Sequence, residues 1–404
     1  MFSLAFLQSN AKLVGFGFAL CFLASAGQTY FISTFGGEIR AEFALSHGDF
    51  GTVYAIGTLG SAATLMWLGR IVDTMSVAKT VILTLLVLAV VSAFMGFTWG
   101  AASLAFSVYG LRLMGQGMAM HIGVTAMARF FVAERGRALS IASLGGAVGA
   151  AVSPVYIVAL LTMVNWREAW WITALLVAIS LPLCLLLIRG ENLGARAEKI
   201  ASNQKAEGGD QFRVSDVLRD PGMWLRMPVL LAPSFVSTGF IFHQVHVAQA
   251  KGWSIDLMAG SFTSYAIVSV ISLMISGPLV DRFSARQLMP IYLVPLALCC
   301  LALSYGEASW WMPVYMGLMG AGTGLSAVVR GALWAELYGI AHVGAIRSFS
   351  TALMVFSSGM APAVMGIALD AGFLIEGIAM TCAIFCVFAT MIGRLAKPPR
   401  PLTR

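Results

Sequence analysis

Charged residues are scarce in this 404-residue chain, at 11% of the sequence, whereas hydrophobic residues make up 59%. The mean hydropathy is +0.86. An average soluble domain is about 25% charged and about 45–50% apolar, and a soluble fold of this length could not bury so much apolar surface. The apolar residues recur in runs of about 20, the length that crosses a bilayer. The sequence therefore predicts a membrane protein.

The chain also lacks any cysteine arrangement that suggests a metal site or a disulfide framework. Its six cysteines all fall inside apolar runs without ligand spacing, and they are interpreted as small buried hydrophobic residues. We therefore predict no metal and no cofactor. The first residues lack the basic region and cleavage pattern of a signal peptide, so the apolar run from Leu13 is expected to remain as a span.

Twelve apolar runs predict twelve transmembrane helices, because a bilayer offers no hydrogen-bond partner to an open strand or loop. The predicted fold class is an all-α membrane protein with two pseudo-symmetric six-helix bundles. The predicted spans are 12–36, 50–69, 77–97, 102–127, 138–163, 168–188, 224–247, 258–277, 287–305, 311–334, 346–368 and 373–393.

The distribution of lysine and arginine predicts the orientation. If the N-terminus is cytoplasmic, 20 of the 25 basic residues fall on the cytoplasmic side and 3 in outer loops, with Arg112 and Arg330 inside spans. Basic residues favour the cytoplasmic side, so we expect both termini there, in a bacterial inner membrane. The net charge of +7 is then a topological signal, and no nucleic-acid partner is predicted.

The chain is predicted to consist of two similar halves. The longest polar stretch, 189–222, is interpreted as a cytoplasmic linker between an N-terminal bundle, 1–188, and a C-terminal bundle, 223–404. An offset of 208 residues aligns equivalent positions of the two halves, and the fourth and tenth spans depart from it by about three residues. The aligned pairs are Ser46 and Ser254, Gly69 and Gly277, Asp73 and Asp281, Gly136 and Gly344, and Pro154 and Pro362.

A repeated motif follows the second span of each half. The first copy runs Gly69-Arg-Ile-Val-Asp73, and the second runs Gly277-Pro-Leu-Val-Asp281-Arg282. This pattern resembles the signature loop of the major facilitator superfamily. The resemblance implies a gate in which an aspartate docks on the positive N-terminus of a helix, with Gly69, Asp73, Gly277, Asp281 and Arg282 as gating residues. The alternative is a helix cap with topological charge.

A second resemblance concerns the branch of that superfamily. The stretch Arg129-Phe-Phe-Val-Ala-Glu-Arg135-Gly136 and the glycine-rich run ending at Pro154 resemble the loop and fifth span of the monocarboxylate and oxalate/formate branch. The resemblance implies a small organic acid as substrate. Most of these glycines are equally explained by helix packing.

Arg112 is the main candidate for substrate binding, because it falls near the middle of the fourth span. The segment Arg112-Leu-Met-Gly-Gln116-Gly117 resembles the superfamily's arginine and glycine pattern, and no Asp or Glu falls at mid-membrane depth. A buried arginine is costly and usually serves a site, and it pairs strongly with carboxylates. An anionic substrate is therefore predicted. The alternative is a structural arginine bonded to backbone carbonyls.

Other polar residues within the spans complete the predicted site. Arg330 is either a second binding residue or an anchor that extends to the membrane surface. His121 and His243 are candidates for proton coupling, and each is otherwise a hydrogen-bonded packing residue. The predicted substrate-binding set is Arg112, Gln116, Gln28, Tyr30, His243 and Arg330, with Thr29, Tyr54, Ser237, Thr238, Gln244 and Tyr265 as further polar candidates.

The sequence thus predicts a secondary active transporter and not an enzyme. It would move a small organic anion by alternating access, with proton coupling or by exchange, as a monomer in the lipid bilayer. Two alternatives remain at this stage. One is an efflux transporter of neutral or amphipathic compounds, and the other is a membrane sensor that transports nothing.

Overall fold

The described residues of the computed structural model, 4–68, 75–131, 135–189, 214–338, 343–397 and 399, are helical with short connections and contain no strand. They belong to two compact units. The N-terminal unit comprises Met1–Leu45 and Thr52–Lys205, and the C-terminal unit comprises Ser46–Gly51 and Ala206–Arg404. The residues 190–213, most of the predicted linker, lie outside the described part of the chain, and the end of that predicted segment is helical.

The N-terminal half contains nine α-helices and two short helices of other types among its described residues. The α-helices are α1 (Leu4–Leu23), α2 (Thr29–Thr34), α3 (Gly36–Phe43), α4 (His47–Leu68), α5 (Val77–Met95), α6 (Ala101–Leu111), α7 (Met120–Phe130), α8 (Arg135–Leu161) and α9 (Trp166–Ile188). A 3₁₀-helix, Ala24–Gly27, follows α1, and a π-helix, Arg112–Ala119, joins α6 to α7.

The C-terminal half continues the numbering with nine further helices over its described residues. They are α10 (Val214–Arg219), α11 (Pro221–Phe242), α12 (Gln244–Ala250), α13 (Ile255–Phe283), α14 (Ala285–Leu288), α15 (Val294–Tyr305), α16 (Trp311–Tyr338), α17 (Val343–Asp370) and α18 (Ile375–Leu395).

Each of the twelve predicted spans coincides with helix, which confirms the all-α membrane fold. Within the described residues, nine helices are long and apolar enough to cross a bilayer. The other three predicted spans correspond to α4, to the run α6–π–α7 and to α14 with α15. All three are less regular or more polar than a standard span, so length and hydropathy alone do not select them.

The predicted offset of 208 residues also separates the first residues of two equivalent helices. His47 begins α4, and Ile255 begins α13, 208 residues later. The capping chemistry repeats as well. The hydroxyl of Ser46 accepts the amide N–H of Asp49 at 3.0 Å, and that of Ser254 accepts the N–H of Leu257 at 3.2 Å, which is the usual N-cap contact.

The fourth and tenth spans depart from that offset at one end. The run α6–π–α7 begins at Ala101 and α16 begins at Trp311, 210 residues later. The slip from the offset of 208 is therefore two residues at this end, and the run that begins earlier contains the π-helix.

The first span was predicted as one uninterrupted run, and the structure differs. Helix α1 begins at Leu4, eight residues before the predicted start, and the backbone at Asn10 is not helical. After the 3₁₀-helix the chain is extended at Gln28, with φ −84° and ψ 154°. Average hydropathy does not register the break at Gln28, because apolar residues both precede and follow it.

A cluster of polar side chains joins three connections of the N-terminal unit. The guanidinium of Arg167 donates to Glu42 at 2.6 Å and to the carbonyl of Gly96 at 2.9 Å, and the indole of Trp166 donates to Glu42 at 2.6 Å. The hydrogen bond from Arg167 lowers the pKa of the Glu42 carboxyl below its ordinary value. The ion pair therefore persists at neutral pH and is lost as the pH falls through that lowered pKa.

Close packing of α8 on α1 depends on glycine. A Cβ atom at Gly145 would lie 2.9 Å from the carbonyl carbon of Phe18, whereas one at Gly146 would lie 3.5 Å from its nearest neighbour, the Met120 Cε atom. The first distance is a steric overlap and the second is an ordinary contact. These two adjacent glycines therefore have different roles, because only Gly145 sets the distance between α1 and α8.

We expect these two glycines to respond oppositely to alanine. Gly145→Ala should destabilise the protein by about 1–3 kcal/mol through overpacking. Gly146→Ala should be neutral or stabilising by up to about 1 kcal/mol, since alanine favours helix. Thermal unfolding of both purified variants in the same detergent measures the difference, and equal effects would contradict this account of the α1–α8 contact.

Candidate functional site

The predicted central arginine lies at an irregular point of its helix. Arg112 is the first residue of the π-helix between α6 and α7. A π-helix has a wider turn, with i→i+5 hydrogen bonds, and occurs mostly at functional sites. The wide turn changes the direction in which the following side chains point relative to a regular α-helix.

The π-helix packs against the 3₁₀-helix that follows α1, and glycine on each side allows the approach. A Cβ atom at Gly115 would lie 2.7 Å from the Cα of Gly27, and one at Gly27 would lie 2.6 Å from the backbone nitrogen of Gln116. Any side chain at either position would force the two segments apart. The backbone contact brings the end of the first span directly onto the fourth span.

Arg112 fills the space beside this crossing and is only 5% exposed. Its Nη1 atom donates to the carbonyl oxygen of Gly27 and to the Thr29 hydroxyl, both at 3.4 Å. The guanidinium carbon lies 5.4 Å from the centre of the Tyr54 ring, which is within cation–π range. The hydroxyls of Thr29 and Tyr54 are hydrogen-bonded at 2.8 Å, so three elements form one polar cluster.

The positive charge of this cluster is not balanced within the described residues. None of the ion pairs between described residues includes Arg112. Its Nε atom and the Oε1 atom of Gln116, four residues later, are buried without a hydrogen-bond partner there. Buried polar groups are normally satisfied, and a buried charge is normally paired. The cluster therefore has unused capacity for an anionic or polar ligand.

The remaining predicted residues of the N-terminal unit lie apart from the arginine or make other bonds. Gln28 is the extended residue between the 3₁₀-helix and α2, and its side chain is half-buried. The hydroxyl of Tyr30 donates to Ser25 at 3.0 Å, which is a local contact. His121, near the start of α7, is exposed.

In the C-terminal unit, His243 and Arg330 are in different surroundings. His243 lies between α11 and α12 and is 4% exposed, and its Nε2 atom is 3.0 Å from the carbonyl oxygen of Pro362. Because a carbonyl only accepts, that nitrogen carries the proton. Arg330 on α16 is half-buried, with its Nη1 atom 3.5 Å from the sulfur of Met354. This geometry is compatible with both interpretations of Arg330.

The second copy of the predicted gating motif ends α13. Asp281 and Arg282 are exposed in its last turn, and the Arg282 guanidinium lies 5.1 Å from the centre of the Phe283 ring. Among the residues that the structure describes, no neighbouring atom comes within 4 Å of a Cβ atom placed at Gly277. Gly69 and Asp73, the first copy, lie outside the described residues.

Sequence reasoning missed a buried arginine in the C-terminal unit. The charge count placed Arg226 on the cytoplasmic side, at the start of the predicted span 224–247, but it is only 1% exposed within α11. Its Nη2 atom donates to the carbonyl oxygens of Ala396 and Lys397 at 3.3 and 2.7 Å, so it ties down the chain after α18. Asp220 followed by Pro221 is a helix-start pattern that could have indicated the earlier beginning of α11.

Solved structures with a similar fold cover almost the whole chain. One is a bacterial homologue of the human lysosomal transporter Spinster in an inward-facing, unoccupied conformation, with a TM-score of 0.71, 15% identity, and 96% of each chain covered. The same kind of protein in its inward-facing, occupied conformation gives a TM-score of 0.66 at 15% identity, with 97% of each chain covered. Identity this low shows a shared fold. Among curated proteins, none matches this sequence.

The family model described as the Major Facilitator Superfamily matches residues 17–261 and 234–404. These two ranges together include nearly all of the chain and both six-helix halves. The match agrees with the helical architecture and with the repeated loop after the second span of each half. This chain belongs to the major facilitator superfamily, and it is accordingly a multi-pass membrane transporter rather than an enzyme.

Proposed function

We propose that this transporter moves a small organic anion across the membrane by alternating access. The observation that carries the proposal is the burial of Arg112 beside Thr29 and Tyr54 without a carboxylate partner among the described residues. An ion buried without its counter-ion is strongly unfavourable. An anionic substrate would supply the missing charge at the moment of binding.

The chemistry of the donor set favours an anion over a cation. A guanidinium offers its N–H groups in a planar fork that matches a carboxylate. The nearby Thr29 and Tyr54 hydroxyls and the Gln116 amide add neutral hydrogen-bonding groups that could distinguish one acid from another. Binding of an organic cation would place like charges together, which is unfavourable in a medium of low dielectric constant.

The finer features of the transport reaction are part of the same proposal. The substrate would be a monocarboxylate, as the resemblance to that branch suggests, and its entry would be coupled to protons or to exchange. The comparisons with known proteins do not support that branch, so this step depends on the sequence motifs alone. His121 and His243 are the proposed proton-coupling residues, and Arg330 is a second contact to the substrate or an anchor.

The setting and the gate are likewise proposed from the sequence. The arginine and lysine distribution supports cytoplasmic termini. A bacterial inner membrane and a monomeric state are further parts of the proposal. The loop residues Gly69, Asp73, Gly277, Asp281 and Arg282 would close the cytoplasmic side. The two bundles, 1–188 and 223–404, would be the moving parts, joined by the linker 189–222.

One observation favours the alternative of neutral or amphipathic substrates. The N-terminal unit has a cavity of about 220 Å³ between the first span, α8 and α9. Its lining is mostly apolar, as sites for small organic molecules usually are. The lining residues are Phe22, Leu23, Ser25, Ala26, Phe31, Val152, Ser153, Tyr156, Thr173, Leu176 and Val177.

The anion proposal predicts that uptake depends on Arg112. In proteoliposomes with an imposed proton gradient, Arg112→Ala should reduce uptake of short-chain carboxylates at least about 100-fold, because charged hydrogen bonds to the substrate are lost. Arg112→Lys keeps the charge without the planar fork, and it should reduce uptake about tenfold.

Arg394→Ala is the matched control for this experiment, because Arg394 is an exposed arginine in the last turn of α18 and its loss should leave uptake unchanged. Arg330→Ala decides between a substrate contact, which would lower uptake, and an anchor, which would lower only stability. Normal uptake by correctly folded Arg112→Ala protein would refute the proposed binding role. Ligand binding without any flux in the wild type would instead favour the sensor.

A second prediction separates anionic from neutral ligands without a transport assay. Propionate and propionamide have similar shapes and differ in charge, so only propionate should raise the unfolding temperature of the purified protein if Arg112 binds the substrate. A ligand at 100 times its Kd stabilises the folded state by about 2.7 kcal/mol. Arg112→Lys should lose most of this shift.

The opposite pattern would support the amphipathic alternative. In that case neutral amphipathic compounds would raise the unfolding temperature and propionate would not. Ser153→Phe, which fills the apolar cavity, would then remove the effect, whereas Arg112→Lys would retain it.

A further inference from the structure

Three histidines meet at the beginning of α4, within the C-terminal unit as its compact contacts define it. The ring of His47, the first residue of α4, lies 4.3 Å from that of His246 and 5.8 Å from that of His243, measured between ring centres. The first pair is arranged edge to face. His243 lies at the junction of α11 and α12, and His246 lies within α12.

The backbone of the same turn is held by a carboxylate. Asp370, the last residue of α17, accepts the amide N–H of His47 at 3.0 Å through one oxygen and that of Gly48 at 2.7 Å through the other. An anion at a helix N-terminus is favoured because the first N–H groups lack partners within the helix. Asp370 therefore binds the first turn of α4 in two adjacent places.

Glycines bring this turn into direct backbone contact with α17. A Cβ atom at Gly51 would lie 2.6 Å from the carbonyl carbon of Pro362, and one at Gly366 would lie 2.6 Å from the carbonyl carbon of His47. The turn Ser46–Gly51 and α17 belong to the same compact unit, so this contact lies within the C-terminal unit.

The charged groups around the histidines limit how many protons the cluster can hold. Asp370 lies beside His47 and favours a first proton on it. Glu376 lies near His246 but already pairs with Lys251 at 2.9 Å. Asp49, on the same turn, accepts the N–H of Ser46. A second proton would therefore place two cations in adjacent rings, and Glu376 would offset their repulsion only in part because it is already paired with Lys251.

We propose that His47, His243 and His246 form a proton-binding site that controls the docking of the first turn of α4. With at most one proton, the rings of His47 and His246 stay in edge-to-face contact and Asp370 holds the turn. A second proton makes His47 and His246 repel each other, and His47 moves away. Asp370 of α17 holds the backbone N–H of His47, so this movement breaks that hydrogen bond and the turn leaves α17. Ordinary histidine titrates between about pH 5 and 8, so release occurs on mild acidification.

Hydrogen exchange followed by mass spectrometry tests this site directly, on the intact protein in detergent. After correction for intrinsic exchange, protection of the segment 46–51 should fall about tenfold or more between pH 7.5 and 5.5, because local opening exposes these amides. The first turn of α13 is an internal reference. It has the equivalent Ser254 cap, but isoleucine takes the place of His47, and its protection should not change.

Two variants identify the histidines as the cause. His246→Gln and His47→Gln each remove one of the two closest rings, and each should keep the protection of 46–51 at pH 5.5 within about twofold of its value at pH 7.5. His121→Gln, which removes an exposed histidine of α7, should leave the fall in protection of 46–51 at pH 5.5 unchanged, whatever its effect on proton-coupled uptake. Two variants are used so that poor folding of one leaves the other informative.

The proposal is overturned if protection in the wild type is unchanged or increases at pH 5.5. It is also overturned if the fall persists in a folded variant that lacks His47 or His246. An increase would mean that attraction of charged His47 to Asp370 outweighs repulsion between the rings. The measurement needs no substrate, so its outcome is independent of whether Arg112 binds an anion.

Discussion

The requirement that every backbone polar group be satisfied inside a bilayer underlies the rest of this structure. In hydrocarbon a free carbonyl has no water to accept from, so the chain must be helical or must supply a partner of its own. The first span breaks at Gly27 and Gln28, and the fourth span widens into a π-helix at Arg112. The break leaves a carbonyl at Gly27, and the side chain of Arg112 donates to it. The side chain of one irregular segment thus satisfies the backbone of the other. Arg112 still has an N–H group without a partner among the described residues, and this free donor makes the crossing of the two segments a candidate site.

The sequence was sufficient to predict the properties that depend on local composition. Runs of apolar residues predicted the twelve spans, and the repeat between halves predicted that Ser46 and Ser254 would occupy equivalent positions, because both signals depend on spacing along one chain. The π-helix, the break at Gln28 and the burial of Arg226 were not predicted. They depend on contacts between residues far apart in sequence, such as Gly27 with Gly115 or Arg226 with the carbonyl of Lys397. Hydropathy carries no information on such contacts, and it treats an arginine near a span end as a surface residue.

Polarity within the spans gave a partial account of the candidate site. Arg112, Thr29 and Tyr54 were all identified as polar residues of apolar segments, and the structure brings them together. Gln28 and Tyr30 were identified by the same criterion, but Tyr30 instead bonds Ser25. Polarity within an apolar span identifies residues that need a hydrogen-bond partner, but it does not indicate which residue that partner is. His47 was overlooked for a related reason. A histidine just before a predicted span is interpreted as a loop residue, and the sequence does not show that residues of α12 and α17 lie next to it.

The π-helix at Arg112 has a consequence for how the two halves have diverged. The fourth span consists of α6, the π-helix and α7, whereas its counterpart α16 is a regular α-helix over its described residues. A wide turn changes the direction of the side chains that follow it, compared with those of a regular α-helix. A duplicated scaffold has in this way become chemically unequal, because its N-terminal copy carries a buried arginine at a wide turn where the described C-terminal copy continues as a regular helix.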